Sequence, residues 1–145
     1  MAEKTDAAKE AQQKRVQQKY MELQMIDQQM KQVQKQVEAI ERQAMELDEV
    51  QQSLDDLAKS KQGAEMWVPI SSGIFLKAKL EDNARLAVNV GSNTVVRKDI
   101  PATKAMLAEQ AGEMRKFQTE LVEQFEKMAE RAAGLQSELQ EIVGA

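Results

Sequence analysis

The chain has 145 residues, with 20 basic and 24 acidic side chains, and its formal net charge is −4. It has no cysteine and no histidine, which excludes disulfides, Cys/His metal sites and catalysis by a thiol or an imidazole base. Only 3% of the residues are aromatic whereas 30% are charged, so we expect an elongated protein whose apolar residues form stripes. No basic cluster, membrane-length apolar run or signal-peptide core is present. We therefore expect a cytoplasmic protein that binds neither nucleic acid nor membranes.

The N-terminal half predicts one long helix. Residues 7–61 contain neither Gly nor Pro and are rich in residues that lose little side-chain freedom in a helix. A seven-residue repeat predicts a left-handed coiled coil over residues 16–61. The seam comprises Val16, Lys19, Leu23, Ile26, Met30, Val33, Val37, Ile40, Ala44, Leu47, Gln51, Leu54 and Ala58. Residues 1–15 have no apolar stripe, so they are interpreted as a polar tail, either disordered or an extra binding arm.

A second helix is predicted over residues 100–143. Asp99 is a suitable N-cap and Pro101 suits the first turn. Its seam comprises Ile100, Lys104, Leu107, Ala111, Met114, Gln118, Leu121, Phe125, Met128, Ala132, Leu135, Leu139 and Ile142. Each helix is the obvious antiparallel partner of the other.

The two seams face each other if the numbers of facing residues add to 158. In this register Val37 faces Leu121, and Ala58 faces Ile100. Two polar seam residues, Lys104 and Gln118, then lie opposite apolar residues of the first helix. A lysine can lay its stem along such a seam and keep its charged head in water.

Residues 66–97 are the part of the chain that does not look helical. Gly63 is predicted to end the first helix, close to the position where a C′ glycine is expected. Four strands are predicted at 66–70, 74–80, 86–90 and 93–97. The last two are joined by a two-residue Gly91-Ser92 turn. Pro69 cannot donate to a sheet and marks an edge or a bulge. Two β-hairpins between two helices make the fold class α+β and mainly α, in a single domain over residues 1–145.

Two hairpins with one apolar face each are marginal alone, so we expect the hairpins to bury that face against other subunits. The assembly residues proposed on this basis are Val68, Ile70, Ile74, Leu76, Leu80, Leu86, Val88, Val90 and Val95. Trp67 and Phe75 are expected on the opposite face. There they would contact a neighbouring subunit or helix, or alternatively form a platform for a ligand.

Two motifs resemble the prefoldin family, specifically its alpha-type subunits. Val68-Pro69-Ile70-Ser71-Ser72-Gly73-Ile74-Phe75-Leu76-Lys77-Ala78 is similar to the family's first-hairpin run, and Val88-Asn89-Val90-Gly91-Ser92 to its second-hairpin turn. The resemblance implies an ATP-independent chaperone subunit without cofactor, metal site or catalytic residue. It also implies a hexamer with two alpha and four beta chains, in which the hairpins form a β-barrel platform and the coiled coils project from it. The coiled-coil ends would hold non-native proteins and pass them to a group II chaperonin.

The substrate-binding hypothesis names residues near the ends of the two helices that lie opposite the hairpins: Tyr20, Met21, Met25, Leu135, Leu139, Ile142 and Val143. Methionine is flexible and polarizable, which suits contact with varied sequences. The competing interpretation is that seam residues simply pack and that the off-seam methionines are helix formers. A structural coiled-coil adaptor that tethers folded partners is the alternative function. An enzyme is disfavoured because the acidic residues are spaced along solvated helix faces.

Overall fold

The computed structural model of the protein describes residues 2–144, with side chains described for residues 3–144. The elements run in the order α1 (Ala2–Lys59), β1 (Glu65–Ser71), β2 (Ile74–Lys79), β3 (Leu86–Gly91), β4 (Thr94–Lys98) and α2 (Ile100–Gly144). In the sequence, the two long helices flank two antiparallel hairpins. Strand β1 pairs with β2, and β3 pairs with β4. The predicted fold class is confirmed. The outermost residues of the predicted domain, Met1 and Ala145, lie outside the described residues.

The chain divides into two compact units. The helical unit contains residues 2–41 of α1 and 115–144 of α2, and the hairpin unit contains residues 42–114.

Helix α1 begins at Ala2, so residues 2–15 are helical. The expectation of a disordered tail is wrong at this point, because Ala, Glu, Lys and Gln are strong helix formers and no Gly or Pro interrupts them. The side chains of residues 3–15 are exposed, in agreement with the absence of an apolar stripe.

The C-terminal end of α1 lies at Lys59, two residues before the predicted end. Asn83 donates from its Nδ2 to the carbonyl oxygens of Leu57 (3.0 Å) and Ser60 (3.2 Å). Carbonyls at a helix end have no partner within the helix, so Asn83 caps the end of α1 from the loop between the hairpins.

Gly63 has a different role from the predicted one. It has φ +83° and lies in a turn in which the amide of Ala64 donates to the carbonyl of Lys61 at 3.0 Å. A positive φ at the third position of a turn strongly favours glycine. The amide of Gly63 donates to the carbonyl of Leu80 at 2.7 Å, so this residue directs the chain into the first hairpin and does not end the helix.

The N-terminus of α2 is capped as predicted. The Asp99 Oδ1 accepts a 2.8 Å hydrogen bond from the amide of Ala102, and its carbonyl accepts a 3.0 Å hydrogen bond from the amide of Thr103. Thr103 is buried, and its hydroxyl donates to the same carbonyl at 2.8 Å. Pro101 lies in the first turn of the helix, where its missing N–H costs nothing.

The first hairpin pairs Met66 with Ala78 and Val68 with Leu76. Directly paired residues share a face, whereas Trp67 and Phe75 pair with Lys77 and Pro69 and lie on the other face, as predicted. The register shifts between Pro69 and Ser71, which leaves Ile70 as an extra residue in a bulge.

The second hairpin differs from the prediction by one residue. Its loop is Ser92-Asn93, because Gly91 pairs with Thr94. Ser92 and Asn93 have φ values of 51° and 58°, as a type I′ turn requires. The predicted Gly91-Ser92 turn is therefore wrong.

A one-residue change of register moves side chains to the opposite face of a strand. Val96 thus pairs with Val88, whereas Val95 pairs with Asn89 on the other face. Val90 is the extra residue of a second bulge, between Asn89 and Gly91.

The cores of both units lie on the predicted helix seams. Among the described residues, every buried apolar side chain occupies a seam position. In the helical unit these are Ile26, Val33, Ile40, Leu121, Leu135 and Leu139; in the hairpin unit they are Leu54, Ile100 and Leu107. Leu47, Leu57, Leu86 and Met106 pack against the hairpin-unit core. Burial of each leucine or isoleucine contributes about 1.5–3 kcal/mol, so the seams hold the helices together.

Candidate functional site

Polar seam residues bond to acidic side chains of the opposite helix. In the helical unit Lys19 forms an ion pair with Glu138, and Gln118 donates to Glu41 at 3.3 Å. In the hairpin unit Lys104 forms an ion pair with Asp55. The numbers of the two residues in each pair add to within one of 158, which agrees with the predicted antiparallel register.

The same helical unit carries one further ion pair, between Arg131 and Glu22. The Arg131 Nε donates to the Glu22 Oε1 at 3.0 Å. This hydrogen bond and the charge of Glu22 raise the pKa of Arg131, against a small opposing effect of desolvation. The Arg131 side chain is largely exposed and that of Glu22 is partly exposed, so this pair joins the two helices but contributes little to stability.

Beyond these pairs the helical unit exposes large apolar side chains near the end of α2. Tyr20, Met21, Met25 and Val143 are exposed, and Ile142 is half-buried. We call these five residues the helix-end surface. An exposed apolar group of this kind is typical of a site that contacts other molecules.

The helix-end surface has two parts. Tyr20 and Val143 line a shallow groove together with the seam residues Leu23 and Leu139. On α1, Met21 and Met25 are one helical turn apart and point away from the seam. A second groove between the helices is lined by Val16 and Ile142, and Gln12 donates to the carbonyl of Ile142 at 3.2 Å.

Two of the predicted substrate-binding residues are not on this surface. Leu135 and Leu139 are each only 8% exposed and pack in the seam. They are spaced one turn apart on the face of α2 that meets α1, and that position favours packing over contact with other molecules. Leu135 becomes accessible to a polypeptide only if the two helices separate, whereas a small part of Leu139 lines the groove beside Tyr20 and Val143.

The hairpin unit exposes a second apolar surface. Six of the nine predicted assembly residues are exposed, namely Val68, Ile70, Ile74, Leu76, Val90 and Val95, and we call them the hairpin surface. The other three, Leu80, Leu86 and Val88, are half-buried, and Leu86 packs on the helix core. A two-stranded hairpin with so much exposed apolar area is marginal in water.

The other face of the first hairpin is also apolar. Trp67 and Phe75 are exposed there, and Phe75 pairs directly with Pro69, two residues after Trp67. Lys77 forms an ion pair with Glu65 at 3.3 Å beside them. Both faces of this hairpin thus offer contact area.

Within residues 2–144 there is no cluster of three acidic side chains arranged to hold a metal ion. No helix in that range is long and apolar enough to cross a membrane. Both apolar surfaces fit contacts with other polypeptides.

Two structural residues of the hairpin unit were not found from the sequence. Asn83 caps α1 from 26 residues away, and no local pattern signals such a contact. Val96, half-buried opposite Val88, was missed because the turn was placed one residue too early. The Ser92-Asn93 pair was the available signal, since Asn tolerates a positive φ.

Comparison with known proteins agrees with this architecture. Residues 26–145 match the family model described as Prefoldin subunit. The prefoldin alpha subunit of Methanococcus aeolicus is 28% identical over 130 residues, which cover 90% of this chain and 88% of that protein. The prefoldin alpha subunit of Methanothrix thermoacetophila is 48% identical over 50 residues, or 34% of this chain and 31% of that protein.

A solved structure shows the same fold. A chain of filamentous prefoldin from Methanocaldococcus jannaschii, determined by cryo-electron microscopy, superposes with a TM-score of 0.73 at 16% identity, covering 79% of this chain and 95% of that one. The family match spans residues 26–145, and the curated relatives that this chain resembles are alpha subunits. The chain therefore belongs to the prefoldin family of chaperone subunits and is of the alpha type.

Proposed function

We propose that this chain is the alpha subunit of an ATP-independent holdase that captures non-native polypeptides in the cytoplasm and delivers them to a group II chaperonin. Two copies would assemble with four beta-type subunits. The hairpin surface would join the subunits, and the helix-end surface would contact the captured chain. Prefoldins are a family of chaperones, not of enzymes, so no catalytic step is assigned.

Assembly through the hairpins is supported by their exposure. Val68 and Leu76 are paired across the first hairpin, and both are exposed together with Ile74. Their burial against other subunits would contribute about 25 cal/mol for each Å² of apolar area removed from water. This gain would stabilise hairpins that are marginal in a single chain.

Capture at the helix ends is supported by the kind of side chain exposed there. Methionine adapts its shape, and tyrosine offers an apolar ring with a hydroxyl at its tip. Unfolded polypeptides vary in sequence, so an adaptable surface suits them better than a rigid pocket. The observation that carries the proposal is the exposure of Tyr20, Met21, Met25 and Val143 beside a seam that is otherwise closed.

The assembly is tested by native mass measurement of this chain alone and after mixing with a beta-type prefoldin subunit. A hexamer that forms only in the mixture supports the proposal. Failure of the mixture to form a larger species would overturn the assembly part of it.

Capture is tested by aggregation of a chemically unfolded protein in the presence of the assembled complex. The variant Tyr20→Ser/Val143→Ser should suppress aggregation less well than the wild type. Val122→Ser is the matched control, because Val122 is also exposed on α2 but lies outside the helix-end surface. If the complex binds only folded partners and leaves aggregation unchanged, the chain is a structural adaptor instead.

Delivery requires a separate measurement. Labelled unfolded protein, held by the complex, should transfer to an added group II chaperonin and leave the prefoldin fraction on size-exclusion chromatography. Retention of all label with prefoldin would contradict delivery, while leaving capture in place.

A further inference from the structure

The methionines among residues 3–144 fall into two classes of exposure. Met21, Met25 and Met45 are 65%, 60% and 67% exposed. Met30, Met66, Met106, Met114 and Met128 are half-buried, and three of them occupy helix seams. A soluble oxidant therefore reaches the first class far more readily.

Met21 and Met25 lie on the outer side of α1, where most neighbouring side chains carry no charge. Their exposed neighbours on the outer side of the helix are glutamines, namely Gln17, Gln18, Gln24, Gln28 and Gln29. The nearby charges Lys19 and Glu22 are engaged with Glu138 and Arg131 of α2. The two methionine side chains therefore provide the apolar contact area on this side of the helix.

We propose that Met21 and Met25 form an oxidation-sensitive modification site that controls how well the helix-end surface holds apolar polypeptide. The inference rests on the proposed function. The oxidant is a peroxide. The thioether sulfur attacks one peroxide oxygen, the O–O bond breaks, and a sulfoxide and one molecule of water form from hydrogen peroxide. The sulfur is oxidised by two electrons and the peroxide is reduced.

The sulfoxide differs from the thioether in polarity, which is the property on which capture depends. A sulfoxide is polar and chiral, whereas the thioether is apolar and polarizable. Two sulfoxides one helical turn apart would make the outer side of α1 polar along this stretch. Because both residues point away from the seam, oxidation leaves the helix pair folded. Methionine sulfoxide reductases reverse the reaction, so the change is reversible, as a switch requires.

The experiment treats the assembled complex with hydrogen peroxide, maps sulfoxides by mass spectrometry of peptides, and measures aggregation suppression and helix content at each dose. We expect Met21, Met25 and Met45 to oxidise before the half-buried methionines. Suppression should fall severalfold while the circular dichroism of the helices is unchanged. Treatment with methionine sulfoxide reductases should restore it.

Two variants show which methionines cause the loss of aggregation suppression. Met21→Leu/Met25→Leu keeps apolar side chains of similar volume that peroxide does not oxidise, so its suppression, compared with its own untreated value, should survive treatment. Met45→Leu should lose suppression as the wild type does. Oxidation of a partner subunit would affect both variants equally and would overturn the assignment.

Three results would contradict the inference. Suppression that survives complete oxidation of Met21 and Met25 overturns this inference alone and leaves the proposed function in place. Loss of helix content at the same dose would place the effect in the seams. Absence of suppression by the untreated complex would overturn the proposed function itself and the inference with it.

Discussion

Lys104 of α2 forms an ion pair with Asp55 of α1, although Lys104 occupies a position of the apolar seam. The stem of this lysine crosses the seam, and its charge is neutralised at the edge. Lys19 with Glu138 repeats the arrangement in the helical unit. Ion pairs this exposed contribute little to stability. Their value here lies in register, because a slip of the helices by one heptad would separate each lysine from its acidic partner.

Reversing the charge of Lys104 tests this role. Lys104→Glu places two carboxylates together at the edge of the seam. We expect the midpoint of thermal unfolding to fall, and the free energy of unfolding at the wild-type midpoint to decrease by roughly 1 kcal/mol. Lys31→Glu is the control, since Lys31 is exposed and meets only Asp27 of its own helix at 3.9 Å. Equal effects of the two substitutions would argue against a role of the cross-helix pair.

The register itself is tested by a disulfide. The chain has no cysteine, so Val37→Cys/Leu121→Cys introduces one defined pair, which should form a disulfide within the monomer on mild oxidation. Val37→Cys/Met128→Cys joins positions one heptad apart and should stay reduced. The measurement is the mobility of the unreduced chain in denaturing gels. Cross-linking of the second pair but not the first would overturn the register.

The cap of α1 by Asn83 predicts a stability loss. Asn83→Ala removes both hydrogen bonds to the carbonyls of Leu57 and Ser60 and should lower the free energy of unfolding by about 1–2 kcal/mol. Asn83→Asp should cost as much or more, because a carboxylate cannot donate. Glu81→Ala, at an exposed position of the same loop, is the control. Chemical denaturation of the three variants gives the comparison.

The second hairpin turn predicts a contrast between two substitutions at one residue. Asn93 has φ +58°, which a β-branched side chain adopts at a cost of roughly 1–2 kcal/mol. Asn93→Val should lower the melting temperature of the assembled complex, whereas Asn93→Gly should leave it equal or slightly higher. If valine were tolerated as well as glycine, the type I′ turn would be wrong.

The hairpin surface predicts a loss of assembly without a loss of helix. Ile74→Ser/Leu76→Ser removes exposed apolar area from the first hairpin, so the mass of the complex should fall while circular dichroism keeps its helical signal. Val50→Ser is the control, because Val50 is also exposed but lies on α1 and not in a hairpin. An intact complex from the double variant would remove this surface from assembly.

The parts of the fold that were predicted correctly depend on local periodicity. The heptads placed Ile26, Leu54 and Leu121 in the core because a seam position is fixed by its spacing along one helix. The cap at Asp99 depends on three neighbouring residues and was likewise predicted.

The features that were missed depend on contacts between residues distant in sequence, or on a one-residue shift in strand register. The Asn83 cap joins positions that no repeat connects. The turn was placed at Gly91 because a glycine-serine pair is itself a good turn signal, and the bulge at Val90 takes up the extra residue. In the candidate site, the exposure of Met21 and Met25 was consistent with their off-seam spacing. The seam position of Leu139 also predicted its burial, but the substrate-binding hypothesis placed it in the binding site.

The two hairpins share a detail that bears on how the chain avoids uncontrolled association. Each has one extra apolar residue, Ile70 or Val90, directly before its tight turn. Such bulges bend a strand and increase its twist. A strongly twisted strand edge is a poor template for the flat, stacked strands of a fibril. The added twist therefore limits edge-to-edge pairing to partners whose strands are twisted to match.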